Sequence, residues 1–593
     1  MKSAVILANH AAILAKSTVI LAKSAGVLAK SAAVVAKSAA VLAKSAAVVA
    51  KSAAVLAKSA AVLAKSAVIL AKSAVILAKR AERLAFGADV GEIYPPVGIG
   101  LAFVPNSDLL NSMPPRRFAL LFCLVTAPFL AGRAATFTYA GPPGAIAKVY
   151  RGQSFQFGYL TVPERHAAPG GKQIQLAVVI LRAKQPGGGL PVFFLTGGPG
   201  GSATDIAPYF EVFSALQRQH DVVLIDQRGT GYSAPFLGIQ GRVTYQGARD
   251  GFTNAGIDVT AYNTTEDAAD IADLRTALGY SQVVLFANSY GTFLAQEVMR
   301  SHPAGIASVV MDGVLPAADT FIPNFNRNAL HGLNALFRDV RRTPAANRAF
   351  PSFSRTYFKL LQTLRHRPLR MSDGTKVTID DFQNSIEALL QSPERISLIP
   401  LFTTEIAARR GSAFVKRYLS FSDGVRGFAY GMYLSVLGTD WNQPDWLALT
   451  RRADAKLRPV IFRQANARSS LAVVFGVEAW QVPYLPQATR TPLQSPIPTL
   501  LLAGEMEAQT PFNGASTVAA GLPNSFLLMF PRSGHITGFT KGPALQALLQ
   551  FVNNPAAKPA YSLASLRRPN FYATTIPPQS KSREAEPPLR FLH

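Results

Sequence analysis

Between residues 155 and 316 short apolar runs alternate with segments of helical period, and the same rhythm returns between residues 498 and 530. Phe155 to Val162 and Gln173 to Leu181 read as strands separated by a Pro169-Gly170-Gly171 turn. Pro191-Val192-Phe193-Phe194-Leu195 and Val222-Val223-Leu224-Ile225 are continuous apolar runs, as strands buried on both faces require. Thr265 to Leu278 puts Ile271, Leu274 and Leu278 on one helical face, with acidic residues in the first turn and Gly279 as the stop. The run Val283-Val284-Leu285-Phe286-Ala287-Asn288 then meets Ser289, and a helix-compatible segment from Thr292 to Arg300 follows at once. Ile306 to Met311, Pro498 to Ala503 and Ser525 to Phe530 are further strands. Strands alternating with helices predict an α/β fold with a mostly parallel central sheet, its reactive edge at the carboxyl ends.

From about Pro316 to Trp480 the rhythm breaks. Arg327 to Arg341, Phe353 to Leu364, Asp380 to Leu390 and Leu398 to Ala408 carry helical periodicity without intervening buried strands. The expected organisation is a sheet domain in two parts, residues 135–316 and 481–557, interrupted by a helical cap at 317–480. A tail at 558–593, rich in proline and charge, is expected to be loose.

The first 112 residues follow another rule. A Lys-Ser-Ala-Ala-Val-Leu-Ala heptad recurs with lysine at Lys16, Lys23, Lys30 and every seventh residue to Lys79. Most heptad positions are apolar and no acidic residue appears before Glu82, which disfavours a coiled coil, and the lysines interrupt any run of membrane-spanning length. A helical rod or a surface helix fits the composition; a tandem repeat upstream of the true start fits it better. Met113-Pro114-Pro115-Arg116-Arg117, the apolar run Phe118 to Ala131 and the small residues around Arg133 form a complete secretory signal at 113–134. The expectation is a mature chain from about Ala135, periplasmic or secreted, with no stable membrane span.

The formal charge of +26 raises the question of a nucleic-acid partner. Nearly half of it lies in residues 1–134, and the remainder is scattered with no basic helix or aromatic-interleaved stripe, so no nucleic-acid partner is expected. The single cysteine, Cys123, falls in the export signal, which leaves the mature chain without a disulfide or a cysteine nucleophile.

The candidate chemistry therefore rests on Ser289. Ala287-Asn288-Ser289-Tyr290-Gly291 at a strand-to-helix turn lifts the hydroxyl off the sheet edge above a helix N-terminus. A serine hydroxyl needs a base, and the base an acceptor on its far nitrogen. His535 follows the last strand in a loop with Gly534 and stands where that base is needed. For the acid, Glu507 at the end of the penultimate strand is the first choice, with Glu505 and Asp312 as alternatives. Thr196-Gly197-Gly198-Pro199-Gly200-Gly201-Ser202 lacks the Lys and spacing of a nucleotide loop but brings backbone N–H groups close to a developing oxyanion, so Tyr290 with Gly197 or Gly198 forms the candidate oxyanion hole. Asp226 and Arg228 are expected to pair as scaffold shaping that loop.

Leu195 to Ser202, Asp226-Gln227-Arg228-Gly229-Thr230-Gly231, Asn288 to Thr292, Met311-Asp312-Gly313-Val314-Leu315-Pro316 and Gly504-Glu505-Met506-Glu507 before Thr510-Pro511 together resemble the proline iminopeptidase and tripeptidyl aminopeptidase family of α/β-hydrolases, over about Phe155 to Val552. The resemblance implies an α/β-hydrolase fold with a helical cap, a serine exopeptidase acting on short peptides or amides through Ser289, Glu507 and His535, and no metal or cofactor. The family has glycine at the position of Ala287, aspartate at that of Glu507 and, in the iminopeptidase branch, histidine at that of Thr196. Competing readings are an esterase with the same triad, a silent binding protein, and a structural protein organised by the heptads.

Overall fold

The computed structural model describes residues 135–577, apart from 186, 207–209, 240, 242, 318–320, 420–426, 442–447, 450–451, 453–475, 485–489, 511 and 540–541. The heptad repeat, the segment 113–134 expected to be an export signal, with Cys123, and residues 578–593 lie outside the described residues.

Nine strands among the described residues make one sheet: β1 (Thr136–Tyr139), β2 (Gln156–Pro163), β3 (Gln173–Leu181), β4 (Val192–Leu195), β5 (Val222–Ile225), β6 (Val283–Asn288), β7 (Ile306–Asp312), β10 (Thr499–Gly504) and β11 (Ser525–Phe530). A separate hairpin, β8 (Leu369–Arg370) and β9 (Lys376–Val377), lies in the inserted region. The sheet order is β1-β2-β3-β5-β4-β6-β7-β10-β11. Pairing is antiparallel from β1 through β3 to β5 and parallel from β5 to β11. β4 lies between β5 and β6, so the chain leaves it toward one side and later returns on the other. That reversal opens a crevice at the carboxyl ends of β4 and β6, where ligands enter sheets of this kind.

Strand periodicity sorts the apolar side chains into two layers. Phe193, Leu195, Val223, Ile225, Leu285 and Ala287 face one core, which includes Ile271 and Leu274 of α1 (Thr264–Ala277) and Phe293 and Leu294 of α2 (Tyr290–Ser301). Val192, Phe194, Val222, Leu224, Val284 and Phe286 face the other, with Phe213 and Phe539. Both faces of the central strands are covered, and their continuous apolar runs follow from that. α1 starts where the side chain of Asn263 accepts the N–H of Glu266 at 3.1 Å.

The insertion is helical, as the sequence implied: α3 (Phe321–Arg342), α4 (Phe353–His366), α5 (Ile379–Leu389), α6 (Ile399–Ala407) and α7 (Tyr430–Val436). Its own core includes Leu336, Tyr357, Leu361, Phe382 and Phe402. A Thr378–Asp381 capping box starts α5. The cap is bonded to the sheet domain at several points. Gln391 O accepts the N–H of Ile536 at 2.9 Å, Gly200 O that of Ala429 at 3.0 Å, and Leu237 O that of Gly431 at 2.8 Å. Among the described residues no helix is long and apolar enough to cross a membrane.

Two expectations are corrected. The described part of the tail is docked: Phe571 and Tyr572 are buried, Tyr572 Oη donates to Asp339 Oδ2 at 2.7 Å, and Ala573 N donates to Ser397 O at 3.0 Å. Arg532 links the same elements, bonding Asp339 at 2.8 Å and the carbonyls of Leu566 and Arg568 at 3.0 and 2.9 Å. The aromatic pair, hidden among prolines and charges, supplies the anchor that composition concealed. Asp226 and Arg228 also do not pair with each other. The Arg228 guanidinium, fully buried, holds Asp270 through two bonds of 2.8 Å and donates to Glu164 O and Ala261 O, both at 2.7 Å.

Removing one partner of such a pair leaves a charge buried without compensation. Arg228→Ala is expected to lower the unfolding free energy by about 3–5 kcal/mol in a denaturant melt.

Candidate active site

The residue between β6 and α2 is Ser289, with φ 52° and ψ −125°. An L-residue in that region costs of order 1–3 kcal/mol and persists only where its surroundings over-determine it. Here they do. Ser289 N donates to Asp312 O at 3.0 Å, and Thr292 Oγ1 donates to Ser289 O at 2.7 Å. Gly291 lets α2 approach the end of β4, since a Cβ there would collide with Leu195 O. A Cβ on Gly197 would stand 2.6 Å from Ser289 Cβ, so the glycine loop can lie directly against the serine. Ala287, where the resembled family has glycine, is accommodated within β6 between Leu195 and Met311 and is fully buried.

The glycine loop after β4 is fixed by the turn after β5. Asp226, fully buried, accepts Ser202 Oγ at 3.0 Å, Thr204 N at 3.0 Å, Thr204 Oγ1 at 2.7 Å and Tyr232 N at 2.9 Å. Asp226 thus shapes the loop through hydroxyls and amides. Gly197 N donates to Asn288 Oδ1 at 3.1 Å, which turns that N–H away from an oxyanion and leaves Gly198 as the candidate beside Tyr290. Sequence reading had no signal for this choice, because it depends on where the side chain of Asn288 points.

His535 is buried and its Nδ1 lies 2.9 Å from Glu507 Oε2. The other carboxylate oxygen of Glu507 accepts Gln509 N at 2.7 Å and Thr510 N at 3.2 Å, so the acid is itself held in one orientation. Thr510 Oγ1 lies 3.3 Å from the same imidazole nitrogen. Of the three carboxylates weighed from sequence, Glu507 is the one that meets Nδ1. Asp312 binds the loop beyond the histidine, accepting Thr537 N at 3.1 and 2.9 Å and Gly538 N at 2.7 Å. Burial pushes its carboxyl up to about 7 against the pull of those bonds. Gly313, beside it, brings the two halves together: a methyl group there would stand 3.0 Å from Cε1 and 3.1 Å from Nδ1 of His535, while Asp312 O holds Ser289. Serine, glycine loop and carboxylate-bound imidazole share one rim, an arrangement able to carry nucleophilic acyl transfer.

Burial would lower the His535 pKa, but Glu507, with Asp312 and Glu387 behind it, raises the group above its ordinary value. Glu387 was not singled out from sequence. It lies on cap helix α5, half-buried, and accepts Gln509 Nε2 at 3.3 Å, which places a carboxylate of the cap at the acid loop. The helical period of Asp380 to Leu390 located the helix; only the fold shows that Glu387 faces the rim.

The family model for the alpha/beta hydrolase fold matches residues 191–542, and the chain belongs to that family. It is 26% identical over 270 residues to a tripeptidyl aminopeptidase of Streptomyces coelicolor, covering 39% of this chain and 49% of that one. It is 34% identical over 132 residues to a proline iminopeptidase of Xylella fastidiosa (21% and 33% covered), and 31% identical over 166 residues to one of Neisseria meningitidis serogroup A (27% and 41%). The matches span about half or less of those relatives' length.

The imidazole contact makes a test that needs no substrate. His535 is expected to titrate above the ordinary histidine value of about 6.5 in NMR spectra of the native protein, and at lower pH in Glu507→Gln, which removes the raising charge.

Proposed function

We propose that this protein is an exported serine aminopeptidase that releases amino-terminal residues from short peptides or amides. The observation that carries the reading is the Glu507–His535 contact of 2.9 Å on the rim that holds the Ser289 elbow. Ser289 attacks the scissile carbonyl, His535 takes its proton through Nε2 and returns it to the leaving amine, and Glu507 holds Nδ1–H and stabilises the imidazolium. The tetrahedral oxyanion is received by the N–H groups of Tyr290 and Gly198, the former at the positive end of α2. The acyl-enzyme is then cleaved by water with His535 as base. Relatives named tripeptidyl aminopeptidase and proline iminopeptidase support peptide substrates, and Glu387 supplies a carboxylate for a free α-ammonium group on the cap side. The signal-like segment Met113 to Ala134 supports export.

Because His535 acts neutral and its pKa is raised, kcat/KM is expected to fall as pH drops through that value, and the acid limb to move lower in Glu507→Gln. Glu507→Gln should also reduce kcat by about 10³–10⁴ by disfavouring the tautomer that accepts the serine proton. Ser289→Ala should abolish both turnover and labelling by a fluorophosphonate. Glu387→Gln should raise KM for peptides with a free amino terminus while leaving short acyl esters unchanged. Turnover of esters alone, with aminoacyl amides untouched, would replace the peptidase reading by an esterase. For export, amino-terminal sequencing of the secreted protein should begin near Ala135; a chain still carrying residues 113–134 would overturn it.

A further inference from the structure

Next to Ser289, the side chain of Tyr290 enters a buried polar chain. Its hydroxyl lies 3.1 Å from Asp267 Oδ2 and 3.0 Å from Thr264 Oγ1, and Thr264 Oγ1 lies 2.7 Å from Asp440 Oδ2. All four residues are buried. Asp267 and Thr264 belong to α1, Tyr290 opens α2, and Asp440 comes from the cap, in the π-helical segment Leu437–Trp441 that continues α7.

Hydrogen counting constrains this chain. There are three contacts, yet each hydroxyl owns a single proton and a carboxylate owns none. With both carboxyls ionised, Thr264 would donate to Asp440 and Tyr290 to Asp267, leaving two oxygens lone pair to lone pair at 3.0 Å, out of reach of water. A third proton removes the conflict: carboxylic acid to Tyr290, Tyr290 to Thr264, Thr264 to carboxylate. We infer that Asp267 carries this proton as a neutral acid donating to the Tyr290 hydroxyl, and that Asp267, Thr264 and Asp440 are positioning residues tying the cap to the residue whose N–H receives the oxyanion. The second half of this inference rests on the function proposed above.

The surroundings decide which end is protonated. From the turn after β5, Arg228 faces Asp267 with its charge and its backbone N–H, which favour the carboxylate, but its guanidinium donors on that side go to Asp270, and the gap from Arg228 Nε to Asp267 Oδ1 is 4.0 Å. On α1 itself Asp270 adds like charge, and Glu266 takes a further share of Arg228 at 3.6 Å. At the other end Arg490 donates to the Asp440 backbone carbonyl at 3.4 Å, which brings a positive charge to that end of the chain. Burial raises the Asp267 pKa well above its ordinary value, in line with this assignment.

The test uses Asp267→Asn, whose amide can donate to Tyr290 as the neutral acid does, beside Asp267→Ala and Tyr290→Phe, which break the chain. Asp267→Asn is expected to keep the native kcat and to lose the alkaline decline that deprotonation imposes on the native enzyme. The other two should lower kcat roughly ten- to a hundredfold with KM unchanged, as misplacement of a reacting geometry does. Infrared spectra of the native protein should contain a buried carboxylic-acid carbonyl band that is absent in Asp267→Asn. Folding also favours the protonated form, so the native melting temperature should fall as pH rises through the folded pKa of Asp267, and fall less in Asp267→Asn. A missing band overturns the neutral acid. An Asp267→Asn enzyme as impaired as Tyr290→Phe overturns it too. Equal shifts of kcat and KM in Tyr290→Phe overturn the positioning role. If Ser289 resists the fluorophosphonate, the proposed function and the positioning role fall together, while the infrared band still decides the proton.

Discussion

Asp312 is the constraint on which the rim depends. Its backbone carbonyl accepts the N–H of Ser289 at 3.0 Å, and its carboxylate accepts the N–H groups of Thr537 and Gly538 just past His535. One residue at the end of β7 therefore fixes serine and histidine relative to each other, although 246 positions of chain separate them. The carboxylate is fully buried, so those N–H donors are what make an acceptor tolerable at that depth. β7 pairs β6 on one side and β10 on the other, and the same sheet delivers Glu507 to Nδ1 of the imidazole. Strand pairing sets coarse positions, and buried backbone donors set the fine ones.

The cap is part of that positioning. The chain that leaves α5 bonds the histidine loop through Gln391 O and Ile536 N, and Gly534 is needed there because a Cβ would collide with Leu390 O. At the other side of the rim, Ala429 N bonds Gly200 O, and the ring of Phe428 lies against Gly198 and Gly200. The insertion thus touches both the loop that carries His535 and the glycine loop after β4.

Much of this was legible in the chain. Runs such as Val283 to Asn288 and Val222 to Ile225 announce buried strands because both their faces are covered, and Ser289, Glu507 and His535 were singled out as candidates by their places after strands. Four cap helices followed from their periods, three with boundaries within two residues of those observed, while α3 begins six residues earlier than expected and α7 was not foreseen. What sequence could not show was which polar groups are already engaged. The N–H of Gly197 is taken by Asn288, Arg228 goes to Asp270 and not to Asp226, and Asp312 serves backbone donors and not the imidazole. These are contacts between residues far apart in the chain, invisible to periodicity and spacing. The docked tail escaped notice for a related reason: two aromatic residues outweigh a disordered-looking composition once a pocket exists to receive them.

That docking bears on the order of assembly. Asp339, on cap helix α3, takes bonds from Arg532 just after β11 and from Tyr572 beyond it. Neither partner exists when a ribosome has only just finished α3, and more than two hundred residues must still emerge before the second arrives. The cap helix nearest the start of the insertion is therefore completed by residues that follow the final described strand of the sheet, and a nascent chain carries Asp339 before either of these partners has been made.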